Sequence, residues 1–178
     1  PPGRNEGFLW RIRTYIEQNQ LADAFGLIAI LRSDPNFPKR LLPHLNENAA
    51  YAFYTEGSYD SAAWYLVKAL DRAVSAQDKA RWQYLAGQLY TQTNKDSLAV
   101  LAYQQSIKST TDPTLEVYAR LAISALESGK KANAIQENLN QLWKMAKRPL
   151  YEPYRDIIYY AIAQLELKQA HPDLAQKA

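Results

Sequence analysis

Cysteine is absent from the sequence. That excludes disulfides, zinc–thiolate centres and cysteine nucleophiles, and it is compatible with an oxidising compartment. Histidine is nearly absent: only His44 and His171 occur, at opposite ends of the chain, and no HExxH spacing exists. Glycine is scarce at 6 residues, none of them grouped into a phosphate-cradling loop or a nucleophile elbow. No apolar run approaches the roughly 18 residues that a membrane span requires, so no membrane insertion is expected. An excess of one charge is lacking too. The 21 basic and 18 acidic residues leave a net charge of +3, too small to imply nucleic-acid binding. Carboxylates fall mainly on polar helix faces or caps, without the close pairing that acid/base hydrolysis needs. No catalytic, cofactor-binding or metal-binding residue is nominated, and no enzymatic activity is expected of these residues.

What the chain does have is apolar and aromatic surface: 47% hydrophobic residues, with 13 tyrosines, four tryptophans and four phenylalanines. Against 22% charged residues, that is the composition of a folded globular protein. The apolar residues recur. Ala24, Ala62, Ala99 and Ala134 are separated by 38, 37 and 35 residues, and their surroundings repeat with them. Around Ala99, Gly87 precedes by 12 residues, Tyr103 follows by four and Ser106 by seven. Offsets of four and seven share one helical face, so an aromatic is framed by small residues where two helices can approach closely. Gly87 and Ala99 are expected to mark such a crossing. One unit earlier stand Ala50, Phe53, Ala62, Leu66 and Ala69, with Gly57-Ser58 as the turn. One unit later come Ala122, Ala125, Gly129 and Ala134. Ile12, Tyr15, Ala24, Ile28 and Leu31 fit more loosely at the amino end, and Ala161 marks another first helix at the carboxyl end.

Self-similarity at 20–50 residues signals stacked helical units that present a surface to partners. These matches resemble the tetratricopeptide repeat, whose usual unit of 34 residues is slightly shorter. Asn46 stands where an early bulky residue is expected, and Asn138 replaces the second-helix aromatic. The resemblance implies an all-α fold: a right-handed α-α superhelical solenoid of helical hairpins, about four and a half repeats and nine helices in one domain over 1–178. The start at Pro1-Pro2-Gly3 suggests part of a longer chain. The spacing predicts helices at 5–18, 20–33, 41–56, 59–76, 78–93, 96–109, 113–128, 131–147 and 152–169. Pro35, Pro38 and Pro43 bracket one loop, and Pro149 and Pro153 another. Pro113 opens a helix behind an Asp112 N-cap, and Pro172 closes the last one.

In this repeat family the first helix of each unit lines a concave groove. That geometry nominates Arg13 and Glu17, then His44, Glu47, Tyr51 and Tyr54, then Arg81, Tyr84, Gln88 and Gln92, and finally Glu116, Ile123 and Glu127. Tyrosines, glutamines and mixed charges suit an extended peptide or helix from a protein partner. Chaperone-tail receptors of the family clamp a terminal carboxylate with a lysine and an asparagine four residues apart. The equivalent places hold Leu9 with Arg13, Glu47 with Tyr51, and Tyr84 with Gln88, so that ligand is not expected. Tyr15, Phe53, Tyr90 and Tyr103 read as core, whereas Trp10, Trp64, Trp82 and Trp143 are not assigned to core or surface, tryptophan serving as well for interface anchors. Ile157 to Tyr160 make a helix apolar almost all round, which wants cover on both sides.

Three stretches carry a narrower resemblance: Asn36 to Pro43, Lys79 to Tyr90, and Glu116 to Leu121. Together they resemble the amino-terminal part of the PorW/SprE lipoproteins of Bacteroidota, which serve type IX secretion and gliding motility. The resemblance covers residues 20–128. It implies a periplasmic domain tied to the outer membrane by a lipidated cysteine elsewhere, acting as a scaffold for secretion-system components. A substrate-docking arm of a larger enzyme and a general adaptor or co-chaperone domain are the alternatives.

Overall fold

A computed structural model describes residues 3–127 and 132–170. Among these residues the chain is all-α, with no strand. The nine α-helices are α1 (Arg4–Glu17), α2 (Leu21–Ser33), α3 (Leu42–Glu56), α4 (Tyr59–Lys68), α5 (Ala76–Gln92), α6 (Asp96–Ser109), α7 (Pro113–Glu127), α8 (Ala132–Ala146) and α9 (Arg155–Ala170). Short 3-10 turns occupy Lys39–Leu41, Leu70–Arg72 and Pro149–Tyr154. Each helix packs against the one that follows it, and α1 and α5 also touch α3 and α7 respectively. The side chains of Glu127, of Ala132 to Ile135 and of 168–170 lie outside what is described, as do Gly129, His171 and Pro172 entirely.

Three helix ends are built the same way. Asn19, Gly57 and Asn94 follow α1, α3 and α5 with φ of 57°, 91° and 56°. The next residue's N–H then returns to a carbonyl five positions back: Gln20 to Tyr15 at 2.8 Å, Ser58 to Phe53 at 2.9 Å, Lys95 to Tyr90 at 2.9 Å. A left-handed residue reverses the chain so that the next helix folds back, and glycine or asparagine tolerates that conformation best. Gly57 carries a legible signal for this turn. The matching asparagines sit at the repeat spacing but are less obvious, since asparagine also occurs freely on helix surfaces.

Helix starts follow from caps and prolines. Asp112 Oδ1 accepts the Thr114 N–H at 2.9 Å, and Pro113 begins α7 as expected. Two boundaries correct the sequence reading. The helix expected over 59–76 stops at Lys68, whose carbonyl accepts from Asn46 Nδ2 at 3.3 Å. The next helix then begins at Ala76 because Ser75 caps it, accepting the Asp78 N–H at 3.0 Å and donating to the Asp78 carboxylate at 2.8 Å. The helix expected from 152 is preceded by a 3-10 turn containing Pro149 and Pro153, and regular α-helix starts only at Arg155. Proline has no N–H for an interior α-helical bond, so these residues favour the tighter turn.

The core runs in three clusters. The first joins α1, α2 and α3 through Leu9, Ile12, Ile28 and Leu45. The second, through Ala62, Ala86, Leu89, Tyr103 and Ala119, spans α3 to α7. Tyr65 borders both. Val117, Leu142, Tyr151 and Ile158 build the third between α7 and α9. Buried polar groups stitch neighbouring helices together. Asn48 donates to the Leu9 carbonyl at 2.9 Å, and Ser106 donates to the Ala80 carbonyl at 2.8 Å. Such bonds keep buried polar groups satisfied where packing alone would leave them orphaned.

Close α5–α6 packing is present, and the α6 residue that meets Gly87 is Tyr103, one turn beyond Ala99. A Cβ added to Gly87 would stand 2.6 Å from Tyr103 Cε1. Farther along, α8 packs chiefly on α9 and only loosely on α7. The residue there that matches Tyr103 is Asn138, which lines a cleft of about 370 Å³ between α6, α7 and α8.

Candidate functional site

A second cleft, of about 400 Å³, opens where α3 and α4 meet α5, with α1 at its rim. The small residues of the repeat make its floor: Ala50 and Ala62, with Leu66 beside them. From α5, Trp82, Leu85 and Leu89 form one wall. Their spacing of three and four residues places them on a single helical face. The α3 wall carries Glu47, Tyr51 and Tyr54, each about one turn from the next, and Arg13 reaches in from α1.

Charges around this cleft are paired with one another. Arg13 stacks over the Tyr51 ring, 4.0 Å from its centroid, while its Nε lies 3.3 Å from Glu17 Oε1. Tyr51 donates its hydroxyl to the same Glu17 oxygen at 3.1 Å. Glu47 holds Arg72 at 3.2 Å. Partial burial pushes the Tyr51 hydroxyl's pKa up, and the Glu17 carboxylate reinforces the shift. His44, a turn before Glu47, has its pKa lowered, first by burial and then by the Arg72 guanidinium. The rim is therefore polar yet nearly balanced, and the interior is apolar.

The nominated groove residues divide in two. Arg13, Glu47, Tyr51 and Tyr54 come together in the cleft, with Glu17 and His44 adjoining through the contacts above. The α5 residues do not join them. Arg81 faces Asp78 at 3.9 Å, and Gln88 and Gln92 are exposed outside the cleft. Tyr84 turns its ring onto Tyr103, centroids 5.3 Å apart. Glu116 is engaged by Arg120 at 2.8 Å and by the Tyr151 hydroxyl. Ile123, 8% exposed and part of the central core, lines the cleft between α6, α7 and α8 and not this one. The Glu127 side chain lies outside the described residues.

Sequence reasoning left Trp82 unplaced and missed Leu85 and Leu89 as cleft residues. The signal was available as an apolar stripe at 82, 85 and 89, alongside the polar stripe that was chosen. Of the other tryptophans, Trp64 is half exposed beneath the Lys68 ammonium, 3.4 Å from the ring centroid, and Trp143 packs on Tyr159. Among the described residues no helix is long and apolar enough to cross a membrane, and no group of three or more histidines or carboxylates is placed to hold a metal ion.

No protein-family model matches the chain, and no significant match is found among curated proteins or solved structures. Fold and cleft together define the class only this far: an all-α protein of consecutively packed helices with an apolar, charge-balanced cleft on α3, α4 and α5.

Proposed function

We propose that the protein is a non-catalytic interaction scaffold. Its helices form a right-handed solenoid of tetratricopeptide-like hairpins, and a segment of a protein partner lies along the concave side. The observation that carries this reading is the cleft on α3, α4 and α5, an apolar interior beneath two tyrosines and paired charges. Apolar anchors ringed by polar groups are the usual make-up of a binding patch. The consecutive packing of helices and the three like-built helix ends support the repeat reading. The resemblance to the PorW/SprE lipoproteins supports a periplasmic, outer-membrane-associated setting and partners among type IX secretion or gliding components.

Affinity capture from the envelope of a type IX-positive bacterium tests the reading. The chain as bait should recover secretion or motility components, and the Tyr51→Ala, Tyr54→Ala double variant should lose them while keeping its helical content. Recovery of unrelated envelope proteins alone would discard the secretion assignment. Capture indifferent to the double variant would discard the groove.

A further inference from the structure

The carboxyl-side helices carry an exposed surface that the cleft does not use. The turn Pro149–Tyr154 brings the start of α9 beside the end of α8. Arg155 Nε donates to the Ala146 carbonyl at 3.0 Å, and the Trp143 and Tyr159 rings meet with centroids 5.9 Å apart. Leu139, Leu142, Met145 and Ala146 take the buried face of α8. What stays outside is apolar and basic together. Trp143, Leu150, Tyr159 and Tyr160 are 39%, 53%, 46% and 67% exposed. Lys144, Lys147 and Arg148 are exposed beside them, Lys147 following Trp143 by one turn.

These cations are not held by counter-charges. Among the described residues none of the three is in an ion pair, and Arg155 already caps the end of α8 that they surround. The Arg148 guanidinium lies over the Tyr151 ring, 5.2 Å from its centroid, and keeps its charge there. On the acidic side, Arg155 holds Glu152 at 3.4 Å, which leaves the exposed Asp156 against three cations. Protein interfaces are poor in lysine. Tryptophan and tyrosine beside lysine and arginine are instead the make-up of surfaces that lie at the edge of a bilayer. There the rings sit at the headgroup level, and each ammonium meets an anionic headgroup while its stem stays over apolar surface.

We infer that the surface formed by the end of α8, the following turn and the start of α9 rests on an anionic lipid bilayer, as a peripheral contact that does not span it. The surface is separate from the cleft on α3, α4 and α5, so the groove reading stands or falls without it.

Co-sedimentation of the whole chain with vesicles tests the contact. The chain should sediment with phosphatidylcholine vesicles that contain phosphatidylglycerol and not with phosphatidylcholine alone, and added salt should weaken the binding. Lys144→Gln with Lys147→Gln should weaken it about tenfold or more. Leu150→Ser with Tyr160→Ser keeps every charge and should weaken it by about the same factor. Lys39→Gln with Lys95→Gln removes as much charge from exposed places beside α3 and α6, and should change binding by less than about twofold. Thermal unfolding establishes that all three double variants are folded. Brominated lipid should quench the tryptophan fluorescence of the chain, and Trp143→Tyr should abolish that quenching although Trp10 and Trp64 stay exposed. No binding to the anionic vesicles, equal losses for the two lysine pairs, binding indifferent to Leu150 and Tyr160, or quenching that survives Trp143→Tyr would overturn the contact. An envelope protein captured through Lys144 and Lys147 by a chain that binds no vesicle would also overturn it and assign the surface to a protein.

Discussion

Gly87 meets the ring of Tyr103 so closely that no side chain fits between them: a Cβ there would lie 2.6 Å from one ring carbon and 2.9 Å from Cζ. Both residues are buried in the central core, so neither can step aside into solvent. Gly87→Ala should therefore destabilise the protein by about 1–3 kcal/mol, the usual cost of overpacking, despite the better helix propensity of alanine. Gly26, inside α2, has nothing within 4 Å of its would-be Cβ, and Gly26→Ala should stabilise by about 0.5–1 kcal/mol. Urea denaturation of the pair checks both signs.

Asn19 and Asn94 stand at the left-handed turns after α1 and α5, as Gly57 does after α3. Asn94→Val should cost about 1–2 kcal/mol, because a β-branched side chain is strained at positive φ. Asn94→Gly should be neutral or slightly stabilising. Equal losses for valine and glycine, read from thermal unfolding, would mean that the asparagine side chain matters and its backbone angle does not.

Much of the fold was legible, and the reason is physical. Small residues are favoured where two helices pack closely, so Ala50, Ala62, Gly87 and Ala99 signal helices that pack on their neighbours. The proline-marked start of α7 was equally readable. The end of α4 was not: the Lys68 carbonyl there accepts from Asn46 of another helix, a contact that no local pattern announces. The cleft was half legible. Its α3 wall followed from the groove geometry that the family resemblance implies, but α5 carries two candidate stripes, and only the partner helices decide which one is buried. Tyr84 looked like a free ring until Tyr103 was found beside it. Tyrosine serves core and surface alike, so sequence alone does not separate these roles.

Alkaline pH should weaken the fold. Burial raises the pKa of Tyr84, Tyr90, Tyr103 and Tyr151 above the ordinary 10.0, and the neighbouring Glu116 carboxylate raises that of Tyr151 further. A phenol whose pKa is raised on folding contributes stability that is complete below the unfolded value and is lost as pH climbs through the folded one. The urea midpoint should hold steady up to about pH 10 and fall beyond it. Tyr151→Phe should make that fall shallower, and an unchanged slope would remove Tyr151 from the effect.

Ser106, with no exposed surface, donates to the Ala80 carbonyl at 2.8 Å and so ties α6 to the amino-terminal half of α5. Ser106→Ala should cost about 0.5–1.5 kcal/mol, since the carbonyl loses a partner but keeps its place in the helix. Asn48→Ala should cost more, because it loses the bond to Leu9 and also leaves a void between α1 and α3. Chemical denaturation of the two variants side by side orders them.

The most direct measurement is site-specific photo-crosslinking in the envelope of a type IX-positive bacterium. A photoreactive phenylalanine analogue replaces Tyr54 at the mouth of the cleft, or Ile30, which is 64% exposed on α2 outside it. If the cleft is the partner surface, position 54 should yield a discrete protein adduct that Leu85→Glu on the cleft wall abolishes, and position 30 should yield none. An adduct from position 30 alone, or one from position 54 that survives Leu85→Glu, would contradict a partner seated in the cleft.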